Sequence, residues 1–361
     1  MEKVIIIGAN EFQKELVLTA KRKGYETHVF AWEEGAVAKD DADYFYPISI
    51  IEKDAILEEA KKIKPVGVCS IGSDLAMLTV NYVAQKLGLV SNSLHCTDIS
   101  TNKYLMRRAF KVKGVPSAEY YDYDEIDDAE ALPYPLIVKP FDRSGSRAVS
   151  LVNNAVELVN AANAAKEASF AGKAIVEEYI TGKEYSVEYI SYKGTHTFLQ
   201  LTEKFTTEAP HYIETGHREP ADVSEATLSR VKEVVEMALD SLEVEYGASH
   251  TEIRVDGDRV RIIEVGARMG GDCIGSDLVK LSTGYDFTEM VLDVACGKAP
   301  SFVRVCEPKE AWIKFVLNSD DYNEYLRVRD TLDITQDTVD FANDREVVDS
   351  STRFGYYIYT K

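Results

Sequence analysis

Residues 248–271 read ASHTEIRVDGDRVRIIEVGARMGG, two β-prone runs on either side of Asp256-Gly257-Asp258. With those three residues as the loop of a hairpin, Val255 faces Arg259, Glu252 faces Ile262 and His250 faces Glu264. Glu252 and Glu264 are then diagonal neighbours on one face, with β-carbons roughly 7–8 Å apart. Two carboxylates on a half-buried face repel each other unless they are paired, protonated or bridged by a cation. A one-residue slip in register would send them to opposite faces, and a solvated face with scattered acids is the alternative. Beyond Glu264, Val265-Gly-Ala-Arg268-Met-Gly-Gly271 leaves the strand into a loop that can approach a ligand closely, with one arginine suited to bidentate capture of phosphate or carboxylate. Together these residues suggest a metal–polyphosphate site; an ion pair between Arg268 and one of the glutamates is the other option.

A second constellation, upstream, is cationic. Lys139 closes an apolar strand, Pro135-Leu-Ile-Val-Lys139, where a lysine is costly to bury without an anionic partner. Lys103, Lys139, Arg143 and Arg147 surround the small-residue loop Ser144-Gly145-Ser146, whose backbone amides can cover a phosphate chain. A solvated basic loop explains the same residues. The Walker pattern is absent, so any nucleotide here is bound without a P-loop.

Further out, the first hundred residues alternate apolar runs with amphipathic segments: strands at Val4–Gly8, Thr27–Ala31 and Pro65–Ile71, helices at 11–23 and 52–63. Alternating β and α implies a parallel sheet with right-handed crossovers and ligand sites at the carboxyl ends of its strands, near Gly8, Trp32 and Gly72-Ser73-Asp74. Gly8 lacks the partner glycines of the dinucleotide fingerprint, which argues against NAD. Asp74 reads either as a helix N-cap or as a substrate contact. A basic helix, 102–114, stops at Gly114 with Pro116 beyond it; a helix at 154–168 and strands at 174–179 and 184–191 follow. Asp222-x-x-Glu225 has the capping-box pattern, and Val231, Val234, Val235, Ala238, Leu239 and Leu242 form the apolar stripe of the next helix.

The 361 residues carry a net charge of −20, of which −14 lies in segments 119–130 and 320–349. That charge argues against nucleic-acid and membrane-surface partners. No run reaches the roughly 18 apolar residues of a spanning helix, and the five cysteines are odd in number without metal-ligand spacing, so the chain reads as cytoplasmic.

In this order of motifs the chain resembles an ATP-grasp ligase, most closely the carboxylate:amine ligases typified by bacterial L-amino acid ligases. The resemblance implies a mixed α/β and α+β architecture: a Rossmann-like domain at 1–99, a small grasp subdomain at 100–175, a large one at 176–300, and a C-terminal extension at 301–361 packing on the core. It implies ATP with Mg2+ or Mn2+ as cofactors. Lys103 and Lys139 would be the two nucleotide lysines, and Ser144, Gly145 and Ser146 the phosphate-covering loop. Glu177-Glu178-Tyr-Ile180 would hold adenine through the backbone of Glu178 and Ile180, and Glu184 would accept from ribose hydroxyls. Glu252 and Glu264 would bind the metal and Arg268 would face the transferring phosphoryl group. Segment 209–217, APHYIETGH, is similar to the stretch that brings a histidine, here His217, near the acceptor substrate; His211 and Glu214 are weaker candidates. Many members place Asn two residues after the second metal glutamate, where this chain has Gly266. The implied activity joins a small-molecule carboxylate to an amine through an acyl phosphate, and the implied assembly includes a homodimer. A bicarbonate-activating enzyme like carbamoyl-phosphate synthase or a carboxylase, and a nucleotide sensor without turnover, are the alternatives.

Overall fold

The computed structural model describes residues 1–207, 213–342 and 345–361. Its first sheet is parallel, in the order Tyr44–Tyr46, Glu26–Phe30, Lys3–Ile7, Gly67–Cys69. Val4 and Ile6 join the cluster around Leu16, Val17 and Phe287, whereas Ile5 and Ile7 join the one around Ile56, Val80 and Val83. Both faces of the strand are therefore apolar, which is why its sequence is a continuous run rather than an alternation. Helix Phe287–Ala295, from far along the chain, covers one of those faces and ties this sheet to the rest of the molecule.

Four antiparallel strands form the second sheet, in the order Tyr120–Asp122, Ala174–Glu178, Leu136–Pro140, Ser150–Val152, with helix Ala155–Ala168 packed on it. The chain then crosses at 179–182 into an eight-stranded sheet. Its order is Arg259–Gly266, Tyr246–Asp256, Lys183–Tyr192, Thr195–Thr206, Glu214–Glu219, Ala311–Phe315, Tyr356–Thr360, Asp333–Asp337. Gly182, at φ +115, makes the crossing possible, because a β-carbon there would collide with the Val255 carbonyl. All six residues of the stripe on helix Glu225–Ser241 and its end, Val231 to Leu242, are fully buried against this sheet.

Two local expectations change. The cap of that last helix is Ser224, which accepts from the Thr227 amide, and not Asp222. The hairpin loop has two residues, Gly257 and Asp258, because Asp256 pairs with Arg259; Gly257 sits at φ +60, as the first position of a II′ turn favours. The tail 301–361 packs Ile313, Phe315 and Ile358 against Cys273, Ile274 and Leu278, and its strands continue the large sheet edge to edge, beginning with the pairing of Ala311–Phe315 on Glu214–Glu219. Among the described residues no helix is long and apolar enough to cross a membrane.

Candidate active site

The two-residue turn shifts the hairpin register by one, which alone would place Glu252 and Glu264 on opposite faces. A β-bulge reverses this. Ile253 pairs with Ile262, then Glu252 pairs with Glu264, so Ile263 is the extra residue and the two carboxylates stand directly opposite each other on one face. Each is held by a lysine: Lys204 Nζ lies 2.7 Å from Glu252 and Lys103 Nζ lies 2.7 Å from Glu264. The Lys204 ammonium holds the Glu252 carboxyl well below its ordinary range, against the opposing effect of burial.

Lys103 opens helix Lys103–Lys113, capped by the Asn102 side chain, which accepts from the Tyr104 and Leu105 amides. Its amide donates to Phe141 O and its ammonium to Arg143 O, both at 2.7 Å, so one residue joins the 144–146 loop to the hairpin. Within that loop Gly145 and Ser146 are both at positive φ, and Ser146 bears the strain of a side chain there. Lys139 is buried, and its anionic partner is Glu177, at 2.7 Å; Arg107 forms a second ion pair with the same carboxylate at 2.9 Å. Burial pulls the Lys139 pKa down, and Glu177 restores only part of it.

These residues line one cavity of about 210 Å³ between the four-stranded and eight-stranded sheets. Its wall includes Lys103, Lys139, Ser144, Gly145, Ser146, Glu177, Glu178, Ile180, Glu184, Glu252, Glu264 and Arg268. The Glu178 side chain faces Arg261 in a two-pronged pair, and the Ile180 carbonyl accepts from Arg254 at 2.7 Å. Glu184 is shared by Lys204 at 3.0 Å and Arg254 at 3.3 Å. Arg268 reaches the wall, but its guanidinium is clasped by Asp74 at 2.9 and 2.8 Å. Asp74 is thus neither cap nor free: the cap of its helix is Ser73, and Arg268 outweighs burial to hold the Asp74 carboxyl low. Gly266 follows from the same pair, since a β-carbon there would sit 2.9 Å from Arg268 Cζ and 3.0 Å from an Asp74 oxygen.

His217 is not on that wall. It is buried against the Phe315 ring, 3.9 Å from Asp272, with both ring nitrogens lacking a hydrogen-bond partner, and burial lowers its pKa. Glu214 does reach the cavity, 3.8 Å from Lys204. His211 lies outside the described residues.

Sequence reasoning missed Lys204, the buried cation between Glu184, Glu214 and Glu252; three carboxylates raise its pKa well above the ordinary value despite burial. The available signal was a lone lysine beside Glu203 near the end of strand Thr195–Thr206. It also missed His250, clasped by buried Glu188, which raises its pKa to about 9 against the cost of burial. Arg353, from the tail, bridges Glu214 and Asp272 at 2.8 and 2.9 Å.

The cavity wall carries six lysines and arginines and six glutamates, so the side chains alone do not neutralise a triphosphate. Two opposed carboxylates fit a hard divalent cation, with the remaining ligands supplied by water and phosphate. Among the described residues no cluster of three or more His, Cys, Asp and Glu gathers to hold a metal on protein ligands alone.

Comparison with known proteins agrees with the fold. The ATP-grasp domain family matches residues 132–277. The chain is 25% identical over 296 residues to alanine–anticapsin ligase of Bacillus subtilis, covering 72% of this chain and 62% of that protein. It is 26% identical over 353 residues to a formate-dependent phosphoribosylglycinamide formyltransferase of Sulfurisphaera tokodaii, covering 92% and 86%. Among solved structures, L-amino acid ligase from Bacillus licheniformis superposes with a TM-score of 0.83 at 22% identity, over all of this chain and 93% of that one. Phosphoribosylglycinamide synthetase from Anaerococcus prevotii gives 0.79, also at 22% identity, over all of this chain and 94% of that one. The lysines, phosphate loop, crossing segment and opposed glutamates thus lie on a fold shared from end to end with the solved structures, and residues 132–277 within it match the ATP-grasp domain family.

Proposed function

We propose that this protein is an ATP- and Mg2+-dependent ligase that activates a carboxylate as an acyl phosphate and joins it to an amine, releasing ADP and phosphate. The observation that carries the reading is the bulged hairpin, which sets Glu252 opposite Glu264 in the same cavity as Lys103, Lys139 and the 144–146 loop. The backbone of Glu178 and Ile180 receives the adenine edge and Glu184 the ribose hydroxyls. Lys139 and Lys103 offset phosphate charge, and the loop amides cover the phosphate chain. Bound by Glu252 and Glu264, magnesium supplies charge neutralisation at the phosphates. Arg268 faces the transferring phosphoryl group, and Asp74 fixes its orientation. His217 enters through Asp272, beside the loop that follows Arg268. The work is positioning and charge neutralisation rather than covalent catalysis by a side chain, and loop closure keeps water from the acyl phosphate.

ADP release tests the reading across free amino acids, formate, bicarbonate and no added substrate. Release that needs both a carboxylate and an amine supports it. Stimulation by bicarbonate alone, or tight ATP binding with no turnover on the whole panel, replaces it with the carboxylase-like or sensor alternative. Glu264→Gln keeps the shape and removes the charge, so it should lower ADP formation by about 10²-fold or more with an unchanged circular-dichroism spectrum. Activity within a few-fold of wild type would remove Glu264 from the site.

A further inference from the structure

The cleft has a second and larger lobe, of about 590 Å³, which shares Lys103, Arg143, Ser144 and Glu264 with the nucleotide lobe. One of its walls is apolar: Leu75 and Leu78 from helix Asp74–Leu87, with Ile51, Leu105 and Phe170. Ile51, Leu78 and Phe170 are exposed to solvent there, so an apolar occupant would remove carbon surface from water.

The polar wall is unevenly satisfied. Asp74 is taken by Arg268, Glu264 by Lys103, and Asp142 by the Ser169 hydroxyl and the Phe170 and Ala171 amides. Arg143 lies over the Phe170 ring at 4.3 Å with its Nε buried and unpartnered. Among the described residues neither Arg143 nor Arg147 has an acid within ion-pair distance, and Asp98 is the one acid of this lobe whose carboxylate has neither an ion-pair nor a hydrogen-bond partner.

We infer that this lobe binds a small carboxylate with an apolar body, its carboxylate on Arg143 and Arg147 and its body on Leu75 and Leu78. The assignment of that ligand as the substrate to be phosphorylated rests on the ligase reading, since its carboxylate would lie where the two lobes meet. The shared chemistry fits a simple branched acid or an α-amino acid, for which Asp98 would receive the ammonium group.

The test is calorimetric titration of the full-length protein, saturated with ADP and Mg2+, with acetate, 4-methylpentanoate, glycine and L-leucine. Binding of 4-methylpentanoate over acetate, or of leucine over glycine, should be about tenfold tighter, from partial burial of the added methylenes. Leu78→Glu should abolish that preference and Arg147→Gln should weaken the preferred ligand. Leu78→Ala, a milder change at an exposed position, covers the case in which the glutamate variant fails to fold. The branched acid binding best assigns the simple-acid form and leucine binding best assigns the amino-acid form; both support the site. No preference, or a preference untouched by both Leu78 variants, overturns it. Preferred binding without ADP formation would retain the site and remove the ligase reading; ADP formation indifferent to Leu78 would do the reverse.

Discussion

Strand Lys3–Ile7 and strand Thr195–Thr206 both run through the middle of a sheet, yet they are built on opposite principles. Residues Val4 to Ile7 are fully buried and apolar on both faces. Strand Thr195–Thr206 carries Lys204 on one face, with its side chain only 4% exposed and three carboxylates around it. The first strand gains stability from every face it covers. The second loses much of what its Coulombic attractions contribute to desolvation of the charges. That cluster lies on the cavity wall, where Lys204, Glu184, Glu214 and Glu252 all line it, whereas the parallel sheet serves as frame.

The largest test of that contrast is Lys204→Met. Removing the ammonium leaves Glu184, Glu214 and Glu252 facing one another without their shared cation, which should cost about 3–5 kcal/mol of stability and abolish ATP-dependent turnover. Urea unfolding and ADP release measure the two effects. A variant as stable and active as wild type would mean that the cluster is solvated and the contrast false. Next is Ile6→Ala in the frame, expected to cost about 2–5 kcal/mol through the cavity it opens. Its ADP formation per folded molecule should not change. A raised KM for ATP in Ile6→Ala would show that frame and site are not separable.

Much of the frame was legible in the sequence because its signals are local. The runs at Val4–Gly8 and 184–191, the small-residue loop at 144–146 and the Gly114 stop each act within one element. The candidate ligands Lys139, Glu252 and Glu264 were legible for a related reason: charge at the end or on one face of an apolar strand is locally conspicuous. The rest depends on partners distant in sequence. Arg268 on Asp74, Lys204 on Glu252 and Arg353 on Glu214 are separated by 194, 48 and 139 positions, and no local periodicity encodes them. The hairpin lies between these cases. Its glutamates share a face because a shorter turn and a bulge at Ile263 offset each other, and neither is specified by alternation alone. The tail shows the same limit, since the aromatic strand Tyr356–Thr360 is readable as a strand but not as an in-plane neighbour of Ala311–Phe315.

A smaller effect refines the contrast by pH. Glu219 ends a strand of the charged sheet and is fully buried, accepting from Thr202 Oγ1 at 2.7 Å and Ser282 Oγ at 2.8 Å. Burial outweighs those hydrogen bonds and raises its pKa from 4.5 to about 8. Between those values the folded chain holds a proton that the unfolded chain releases. Its contribution is therefore complete below pH 4.5, falls by about 1.4 kcal/mol per pH unit as pH rises toward 8, and changes no further above it. Glu219→Gln does not titrate and should be more stable than wild type by a margin that grows from pH 5 to 8. Thermal melts across that range check the sign; parallel curves for the two proteins would mean that Glu219 is ionised in the fold.

The smallest expected effect isolates what separates the two kinds of charge. Lys62 and Glu59 form an ion pair on helix Lys53–Ile63 at 2.7 Å, the same distance as Lys204 to Glu252. The two pairs differ in burial: the Lys62 side chain is 69% exposed and that of Lys204 is 4% exposed. Water and salt screen the first pair, and its two side chains give up rotamer freedom to hold it. Lys62→Ala should therefore leave the unfolding midpoint where it is, in low salt and in high. A clear loss of stability in Lys62→Ala would make distance, rather than burial, the quantity that sets the strength of these pairs, and the contrast between frame and site would have to be drawn on other grounds.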